Sequence, residues 1–535
     1  AVMVASMFTG CGSDNGSSSA KSASAASAAS AANDTVDEDG KVNGIMYQEG
    51  LPLVDEGDYT FSIFCDDSSE SGEFIMLDEF KKQTNVDVDL KIYPYETATE
   101  RLNLDLNSGD YADVIGGWTL SDNAILTYGV NQGVFIPLED YFEKYCPNIS
   151  AILDLPGVRE KMTAPDGHIY TIPYVCTDTT VGYSPYINTK WLENVGMSMP
   201  TTTDEFEAVL KAFKEQDANG NGDASDEIPF STDPNNKHIE AMAGYFGLPM
   251  NKLGIAIQNE KVVYGGVSDT YREFLSWFHK LYAEGLVDVE LYTQDSSTWE
   301  GKGNQDLYGV SIAYGSNEFT GIPAAEERGD FDSMPVLNTD KDGIWLRDTE
   351  GFSVYRTQAV ITNKAEHPEI ICRWFDNAFA LENGIGCNRG PVGVIVNKED
   401  DGYHAIDTTT LSEEDQEKYS WGNLWPQSLP KYLPVDFEFV EEHPMYDEKK
   451  ATEEAYEANL TKEIIPSYWI DLDKIDTFSD TNTAIKDFFE QQQAQFVCGE
   501  LDIDNDADWQ AYVDGMYSLG LEDWVATQGI EEIAK

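Results

Sequence analysis

The order of strand and helix patterns near the beginning of the chain limits its fold more than any other feature. Thr60–Phe64 (TFSIF) is typical of a buried strand, and residues 86–92 alternate between apolar and polar side chains with the period of a strand. Helices are predicted over Glu73–Lys82 and Glu96–Asn107, and a short strand over Asp113–Gly116. This alternation predicts an α/β fold with a mostly parallel sheet, in which ligands bind beyond the carboxyl ends of the strands.

A second α/β pattern begins after residue 174. Its predicted strands are Tyr308–Ala313 and Ser353–Ile361, and its predicted helices are Asp204–Lys214, Thr270–Glu284, Pro368–Phe379, Ala484–Phe496 and Asp506–Met516. No repeat of fixed period is present, which argues against solenoids and propellers. Because one hydrophobic core rarely serves more than roughly 250–300 residues, a chain of 535 residues should form more than one domain.

The charge balance excludes two classes of partner. The chain has 97 Asp and Glu against 34 Lys and Arg, and its formal net charge is −63. Such a surface repels both nucleic acid and anionic lipid headgroups, since these are bound by Lys and Arg. Binding to nucleic acid and binding to the membrane through the protein surface are therefore not expected.

The N-terminus indicates export and lipid anchoring. Residues 1–8 (AVMVASMF) are apolar, and Phe8-Thr-Gly-Cys11 is similar to a bacterial lipobox, in which the cysteine is lipidated after signal-peptide cleavage. The following residues 12–32 are almost entirely Ser, Ala and Gly, which is typical of a flexible tether. No later stretch approaches the roughly 18 apolar residues of a spanning helix, so the lipid on Cys11 is the expected membrane attachment.

Several short segments, taken in order, resemble a known family. They are LDEFKK (77–82), GDYADV (109–114), GVFIPLEDY (133–141), DGHIYTIP (166–173), YINTKW (186–191) and PTTTDEF (200–206). With the lipobox and the tether, this ordered set resembles the extracellular solute-binding lipoproteins of carbohydrate ABC importers, of the family 1 type and its large Gram-positive branch.

The resemblance implies a two-lobed fold like that of periplasmic binding proteins, with an interlobe cleft and a helical C-terminal region. Residues 1–57 would be signal-peptide remnant, lipobox and tether, residues 58–180 plus 352–400 the first lobe, and residues 181–351 plus 401–535 the second. Crossings between the lobes are expected near residues 173–183, near 351–355 and around 400. The implied protein is a monomer that binds an oligosaccharide, closes around it and delivers it to ABC permease subunits, without chemistry of its own.

Candidate ligand-binding residues follow from the chemistry of sugars, which offer apolar C–H faces and many hydroxyl groups. Aromatic platforms and polar side chains are therefore expected at strand ends and at the hinge. Asp66 and Trp118 follow two predicted strands, and Arg389 lies in a glycine-rich turn. The full set is Asp66, Trp118, Tyr174, Tyr183, Tyr314, Trp345, Arg347 and Arg389.

An acidic loop predicts a cation site. Oxygen-bearing side chains recur at alternating positions around glycines, an arrangement that can wrap a hard cation such as Ca²⁺. The twelfth position of the helix-loop-helix calcium signature is Ile228, so the bidentate ligand would be Glu227. The candidate ligands of this structural Ca²⁺ are Asp217, Asn219, Asn221, Asp223, Asp226 and Glu227.

Two other classes of protein remain open. An extracellular glycoside hydrolase needs two carboxylates at a set distance, which a chain this acidic cannot exclude, but no GxSxG, HExxH, GxxxxGK[ST] or GxGxxG motif is present. A binding protein for a peptide or another non-sugar ligand would share the fold. The cysteines other than Cys11 show no metal spacing and are too sparse for a disulfide scaffold.

Overall fold

The computed structural model describes residues 34–67, 73–233, 238–321, 329–435, 437–440 and 444–534. The predicted lipidation site Cys11 and the predicted tether over 12–32 lie outside these ranges. No helix in the described ranges is long and apolar enough to cross a membrane. The six cysteines from Cys65 to Cys498 are free thiols.

The first lobe is built on a four-stranded sheet. Its strands lie in the order Ala359–Ile361, Val114–Gly116, Tyr59–Asp66 and Val86–Tyr93. Tyr59–Asp66 is parallel to both of its neighbours, as the strand and helix alternation predicts, and only the edge strand Ala359–Ile361 is antiparallel. The carboxyl ends of three strands therefore meet at one edge of the sheet, where Asp66 and Trp118 follow.

The second lobe has its own four-stranded sheet. Its strands lie in the order Phe331–Ser333, Ser184–Asn188, Tyr308–Ala313 and Ile228–Thr232. Tyr308–Ala313 is buried along its whole length, is parallel to Ile228–Thr232 and is antiparallel to Ser184–Asn188. A strand covered on both faces need not alternate between apolar and polar side chains, and Ser311 is the one polar side chain within this strand apart from the hydroxyl of Tyr308.

Helices surround both sheets. Those of the first lobe are Ile75–Thr84, Tyr95–Ser108, Asp122–Ala124, Ile125–Asn131 (a π-helix), Glu139–Tyr145, Pro147–Leu153, Val158–Met162, Pro368–Ala378, Leu381–Arg389 and Glu413–Lys418. Those of the second are Thr189–Val195, Thr203–Glu215, Asp269–Ala283, Ser296–Asn304, Asn317–Thr320, Pro444–Tyr456, Ile475–Cys498, Asp506–Ser518 and Leu521–Thr527. Helix Thr203–Glu215 begins where the Oγ1 of Thr202 accepts the backbone N–H of Glu205 at 3.2 Å, a standard N-cap.

Smaller sheets complete the two lobes. Lys41–Val42 pairs with Met46–Tyr47 and Val396–Glu399 with Gly402–Ala405; Trp345–Arg347 pairs with Leu460–Ile464, and Lys261–Tyr264 with both Ile255–Gln258 and Glu532–Ile533.

Each lobe has its own large aromatic core. Trp374 and Trp425 stack at 5.7 Å in the first, and Trp191 and Phe213 meet at 5.4 Å in the second. Two independent cores confirm the predicted two-lobed α/β fold.

The lobe boundaries differ from the prediction in two places. Val42 and Leu53 are buried in the first core, so the first lobe includes residues that were predicted to be tether. Trp425 and Leu429 belong to the same core, although residues after 400 were predicted in the second lobe. These apolar residues occur in short groups within acidic, glycine-rich sequence and show no helix or strand periodicity. The sequence therefore does not indicate which core they join, and only the packing of the folded chain shows it.

Three stretches of chain connect the lobes. Tyr174–Thr177 pairs antiparallel with Phe352–Tyr355, and we call these two strands the hinge ribbon. The chain returns to the second lobe between Leu429 and Tyr456, later than the predicted return near residue 400. Residues 465–475 then touch the first lobe again, where the Trp469 indole N–H donates to the carbonyl of Lys161 at 3.2 Å.

Candidate functional site

Asp66 and Trp118 meet at the carboxyl edge of the first sheet. Trp118 is 46% exposed. The buried Asp66 accepts the backbone N–H of Trp118 at 3.0 Å and both the N–H (2.6 Å) and the hydroxyl of Thr119. Gly117 has φ +132°, and a Cβ there would lie 2.3 Å from Asp66 Oδ1. The carboxylate of Asp66 is thus engaged in holding the turn that presents Trp118, and it is not open to a ligand.

Burial also changes the acidity of Asp66. Because the protein around it disfavours the charged form, the pKa of Asp66 is raised from 3.8 to about 6, against the opposing effect of the two backbone N–H donors. The turn at Trp118 therefore depends on a carboxylate that gains a proton in mildly acidic conditions.

The hinge ribbon adds two rings beside Trp118. Tyr174 and Tyr355 are paired across the ribbon, with ring centroids 5.5 Å apart. The indole of Trp118 contacts Tyr355 edge-on at 5.3 Å and Tyr174 at 6.4 Å. Since aromatic pairs prefer edge-to-face and tilted geometries at these distances, the three rings stabilise one another's orientation.

Asp178 connects these rings to the second lobe. It lies just after the first strand of the hinge ribbon, and its Oδ2 accepts the hydroxyls of Ser353 (2.5 Å) and Tyr355 (3.3 Å). Its Oδ1 accepts the hydroxyl of Tyr314 at 3.1 Å, and Tyr314 follows the central strand of the second sheet. One carboxylate therefore fixes a ring of the hinge and a ring of the second lobe.

Two further rings continue the series in the second lobe. Tyr314 meets Tyr183 edge-on at 6.1 Å, and Tyr183 stacks on His238 at 3.9 Å. The ammonium of Lys449 lies 3.5 Å from the ring centroid of Tyr314, and burial lowers the pKa of this lysine to about 8. We call the series of rings from the first lobe to the second the aromatic band; its members are Trp118, Tyr174, Tyr355, Tyr314 and Tyr183.

A cavity of about 280 Å³ opens beside Tyr355. Its lining includes Ser121, Asp122, Arg356 and Ser467. Arg356 is paired with Asp122 (Nε to Oδ1 2.8 Å), so the cavity wall holds a neutralised ion pair. The first lobe, the hinge ribbon and the 465–475 segment all contribute to this space next to the aromatic band.

Three predicted ligand-binding residues lie elsewhere. Trp345 is buried in the second core, where its ring meets Tyr245 at 5.7 Å and Tyr456 at 5.5 Å. Arg347 forms an ion pair with Glu457 at 3.4 Å, and its Nε donates to the carbonyl of Thr461. The guanidinium of Arg389 lies 5.8 Å from the ring of Phe439. Strand Trp345–Arg347 pairs with Leu460–Ile464, more than 100 residues away, and this pairing explains why Trp345 and Arg347 lie in the second lobe's interior and edge. Sequence spacing cannot predict such a distant pairing.

Sequence reasoning also missed Tyr355, Asp178 and His238. Tyr355 is the cross-strand partner of Tyr174, so a correct pairing of the two hinge segments would have found it. Asp178 follows a strand end, the same signal that identified Asp66. His238 has φ +47° and no pattern in the sequence that marks it.

The predicted cation loop forms a series of tight turns. The side-chain oxygens of Asn219, Asn221 and Asp223 accept backbone N–H groups two residues further on, at 2.7–3.1 Å. Asp217 Oδ2 accepts the N–H of Gly222 at 3.0 Å, and Glu227 Oε1 accepts that of Ala218 at 2.9 Å. The side-chain amides of Asn219 and Asn221 also donate to the two oxygens of Asp226, at 3.2 and 2.7 Å, which closes the loop on itself.

Two carboxylate oxygens of this loop are buried without a hydrogen-bond partner. They are Asp217 Oδ1 and Glu227 Oε2, and burial raises the pKa of Glu227. An unpaired buried carboxylate oxygen is costly, and a hard cation with oxygen ligands removes that cost, so these residues fit Ca²⁺. Among the described residues, one group of three His, Cys, Asp or Glu side chains has its potential metal-ligand atoms within 4.8 Å of one another, and it consists of Glu399, Asp401 and His404. The acidic side chains of the predicted cation loop are further apart than this. Cation binding would draw the oxygens of the loop closer together.

Two α/β lobes joined by a hinge ribbon, with the aromatic band running from one lobe to the other, are the architecture of binding proteins that enclose a ligand between lobes. Residues 67–384 match the family model of the bacterial extracellular solute-binding proteins. The chain belongs to this family, as its sequence motifs predicted.

Two curated relatives and two solved structures are similar to the chain. The fructooligosaccharide ABC transporter substrate-binding protein FusA of Streptococcus pneumoniae is 33% identical over 335 residues, which is 61% of each protein. Lipoprotein LipO of Bacillus subtilis is 28% identical over 50% of this chain and 52% of its own. The structure of FusA in complex with kestose has a TM-score of 0.77 at 26% identity, covering 88% of this chain and 98% of FusA. A second structure, of a FusA EF-hand mutant with fructo-nystose, has a TM-score of 0.75 at 27% identity over the same shares.

Proposed function

We propose that this protein is an extracellular receptor that binds an oligosaccharide in the interlobe cleft and delivers it to an ABC permease. The observation that carries the proposal is the aromatic band, which runs from Trp118 through the hinge ribbon to Tyr183. Aromatic rings match the apolar C–H faces of sugar rings, while the Tyr hydroxyls and the polar groups around them can pair with sugar hydroxyls. A band of rings that continues across the hinge suits a ligand of several sugar residues better than a monosaccharide.

The relatives support this assignment. FusA is named for fructooligosaccharides, and its structures contain kestose and fructo-nystose. Membership of the solute-binding family also supports a binding role without catalysis. It favours that role over the glycoside hydrolase activity that the sequence left open.

Delivery follows from the hinge. Ligand binding to both halves of the aromatic band stabilises the closed arrangement of the lobes, because only that arrangement allows contacts with both. Lipidation of Cys11 would hold this receptor on the outer face of the cell membrane, beside the permease subunits. The receptor would act there as a monomer. The similarity to a lipoprotein, LipO, supports the anchor.

A structural Ca²⁺ in the second lobe is part of the proposal. Asp217, Asn219, Asn221, Asp223, Asp226 and Glu227 would hold it, and its charge would compensate the two unpaired carboxylate oxygens. One of the solved FusA structures is that of an EF-hand mutant, which supports a comparable loop in that relative. The ion would stabilise the lobe and take no part in sugar chemistry.

Isothermal titration calorimetry against a glycan panel tests the function. The panel contains kestose, nystose, maltotriose, cellotriose, mannotriose and trigalacturonate, with a tripeptide as the non-sugar arm. We expect saturable binding of at least one oligosaccharide, recovered intact by chromatography, and a smaller radius of gyration in solution scattering when it binds. Binding of the peptide alone, or cleavage of a glycan, would contradict the proposal.

A further inference from the structure

Trp421 is a second exposed tryptophan on the first lobe. It begins the short turn Trp421–Asn423, and 51% of its surface is accessible to solvent. Its carbonyl accepts the side-chain N–H of Gln427 at 2.8 Å, and the ammonium of Lys431 lies 5.2 Å from its ring centroid. Lys431 is only 3% exposed and donates to Gln427 Oε1. The indole is therefore held from the protein side while its other side is open.

The turn that carries Trp421 is fixed to the same strand end as Trp118. Asp67 Oδ2 accepts the backbone N–H of Gln427 at 2.7 Å, and the hydroxyl of Ser428 donates to the carbonyl of Asp66. Asp66 in turn accepts the backbone N–H of Trp118. Asp66 and Asp67, two consecutive residues at the carboxyl end of strand Tyr59–Asp66, thus anchor both of the segments that carry an exposed indole.

Packing places the chain that follows Trp421 against the strand that precedes Trp118. A Cβ on Gly116, two residues before Trp118, would lie 2.3 Å from Leu429 Cδ2, so the chain after Trp421 packs directly on the end of the neighbouring strand. Further along, the hydroxyl of Thr177 in the hinge ribbon donates to the carbonyl of Val435 at 3.4 Å. The segment 421–435 therefore runs from Trp421 across the sheet edge to the hinge ribbon.

We propose that Trp421 is a second aromatic platform of the oligosaccharide site, and that it binds the apolar face of a sugar residue beyond the one that contacts Trp118. This inference rests on the proposed function. Ligands of open α/β sheets bind at the carboxyl ends of the strands, and Trp421 is fixed at that edge. An indole that is immobilised on one side and exposed on the other loses little conformational freedom when a ligand covers it, which favours affinity.

Titration of Trp421→Ala, Trp421→Phe and wild-type protein with the panel trisaccharide that wild-type protein binds most tightly tests this inference. We expect Trp421→Ala to raise the Kd at least fivefold and Trp421→Phe, which keeps a ring, to recover most of the affinity. Tyr517→Ala is the matched control, because Tyr517 is 42% exposed on a helix of the second lobe and should change the Kd less than twofold. A Kd for Trp421→Ala within twofold of wild type would overturn the inference.

Oxidation of the intact wild-type protein gives a second test that does not depend on the folding of a variant. N-bromosuccinimide oxidises exposed indoles, and peptide mass spectrometry measures the rate at Trp118 and Trp421 with and without the same trisaccharide. We expect the sugar to slow oxidation at both. Protection of Trp118 with an unchanged rate at Trp421 would overturn the inference and leave the proposed function standing, whereas a wild-type protein that binds no panel sugar would overturn the proposed function itself.

Discussion

Tyr314 and Tyr355 donate hydrogen bonds to the two oxygens of a single carboxylate, that of Asp178, at 3.1 and 3.3 Å. Tyr314 belongs to the second lobe and Tyr355 to the hinge ribbon. Because each ring also contacts a further member of the aromatic band, Asp178 links the orientation of the platforms on both sides of the hinge.

Tyr314→Phe should therefore weaken sugar binding more than Tyr355→Phe. Each variant loses one hydrogen bond to Asp178, at a cost of about 1–2 kcal/mol in the free energy of unfolding. Only Tyr314→Phe also frees the ring of the second lobe, so we expect its Kd to rise three- to tenfold and that of Tyr355→Phe by less than threefold, measured by calorimetry. Equal affinities of the two variants would show that Asp178 has no role in connecting the platforms.

Trp118→Ala should raise the Kd for the bound oligosaccharide at least tenfold. The substitution removes the exposed ring that Asp66 and Gly117 present, while the backbone hydrogen bond to Asp66 can persist. Calorimetry measures the Kd, and thermal unfolding checks that the variant is folded. Tyr517→Ala serves again as the exposed aromatic control. An unchanged Kd would remove Trp118 from the site.

The sugar affinity should fall as the pH falls through about 6. The raised pKa of Asp66 means that its carboxylate gains a proton there, and the protonated oxygen becomes a donor and a poor acceptor, which weakens the set of three hydrogen bonds that uses both oxygens to hold the turn of Trp118. We expect the Kd to rise at least fivefold between pH 7.5 and pH 5. Asp66→Asn should bind the sugar weakly at both pH values. If the Kd of Asp66→Asn changes with pH as that of the wild type does, another group is responsible for the pH dependence.

The effect of Asp66 on the free energy of unfolding has the opposite pH dependence to its effect on sugar affinity. Its folded pKa of about 6 exceeds the ordinary value of 3.8, so between these values the folded protein binds a proton that the unfolded chain lacks. The penalty for burying the charge is fully present above pH 6 and is relieved as the pH falls towards 4. Denaturant unfolding should thus show that the free energy of unfolding of the wild type rises relative to that of Asp66→Asn from pH 7 to pH 5, which separates loss of binding from loss of folding.

Calcium should raise the temperature of thermal unfolding. An ion that binds only the folded state at 100 times its Kd adds about 2.7 kcal/mol, which corresponds to an increase of roughly 2–3 °C for a chain of 535 residues. Glu227→Gln should abolish the difference between calcium and chelator, because it weakens the bidentate ligand. Glu215→Gln, an exposed substitution just outside the loop, should retain it. If chelation leaves wild-type unfolding unchanged, the loop does not hold calcium.

Many elements of the fold could be predicted from the sequence, because strand and helix periods are local. The prediction of one strand over Ser353–Ile361 is wrong, because this segment forms two strands, Phe352–Tyr355 and Ala359–Ile361, which belong to different sheets. The strand Tyr308–Ala313 has the predicted bounds, and the predicted parallel order at Tyr59–Asp66 is correct. The site was predicted less completely. Trp118 follows a strand end and lies in the aromatic band, whereas Trp345, which has the same residue type at a strand, is buried in the second core.

The sequence by itself determined the α/β class and the oxygen-rich loop, since each depends on residues that are near one another in the chain. Its ordered motifs indicated the family and, through that resemblance, the two lobes. Only the tertiary structure decided which aromatic residues form the aromatic band. Asp178 joins residues 314 and 355, and Asp66 and Asp67 join residues 118 and 427, so the site depends on contacts between distant segments. Hydrogen bonds of this kind leave no period in the sequence, because their partners are brought together by the packing of two separate cores.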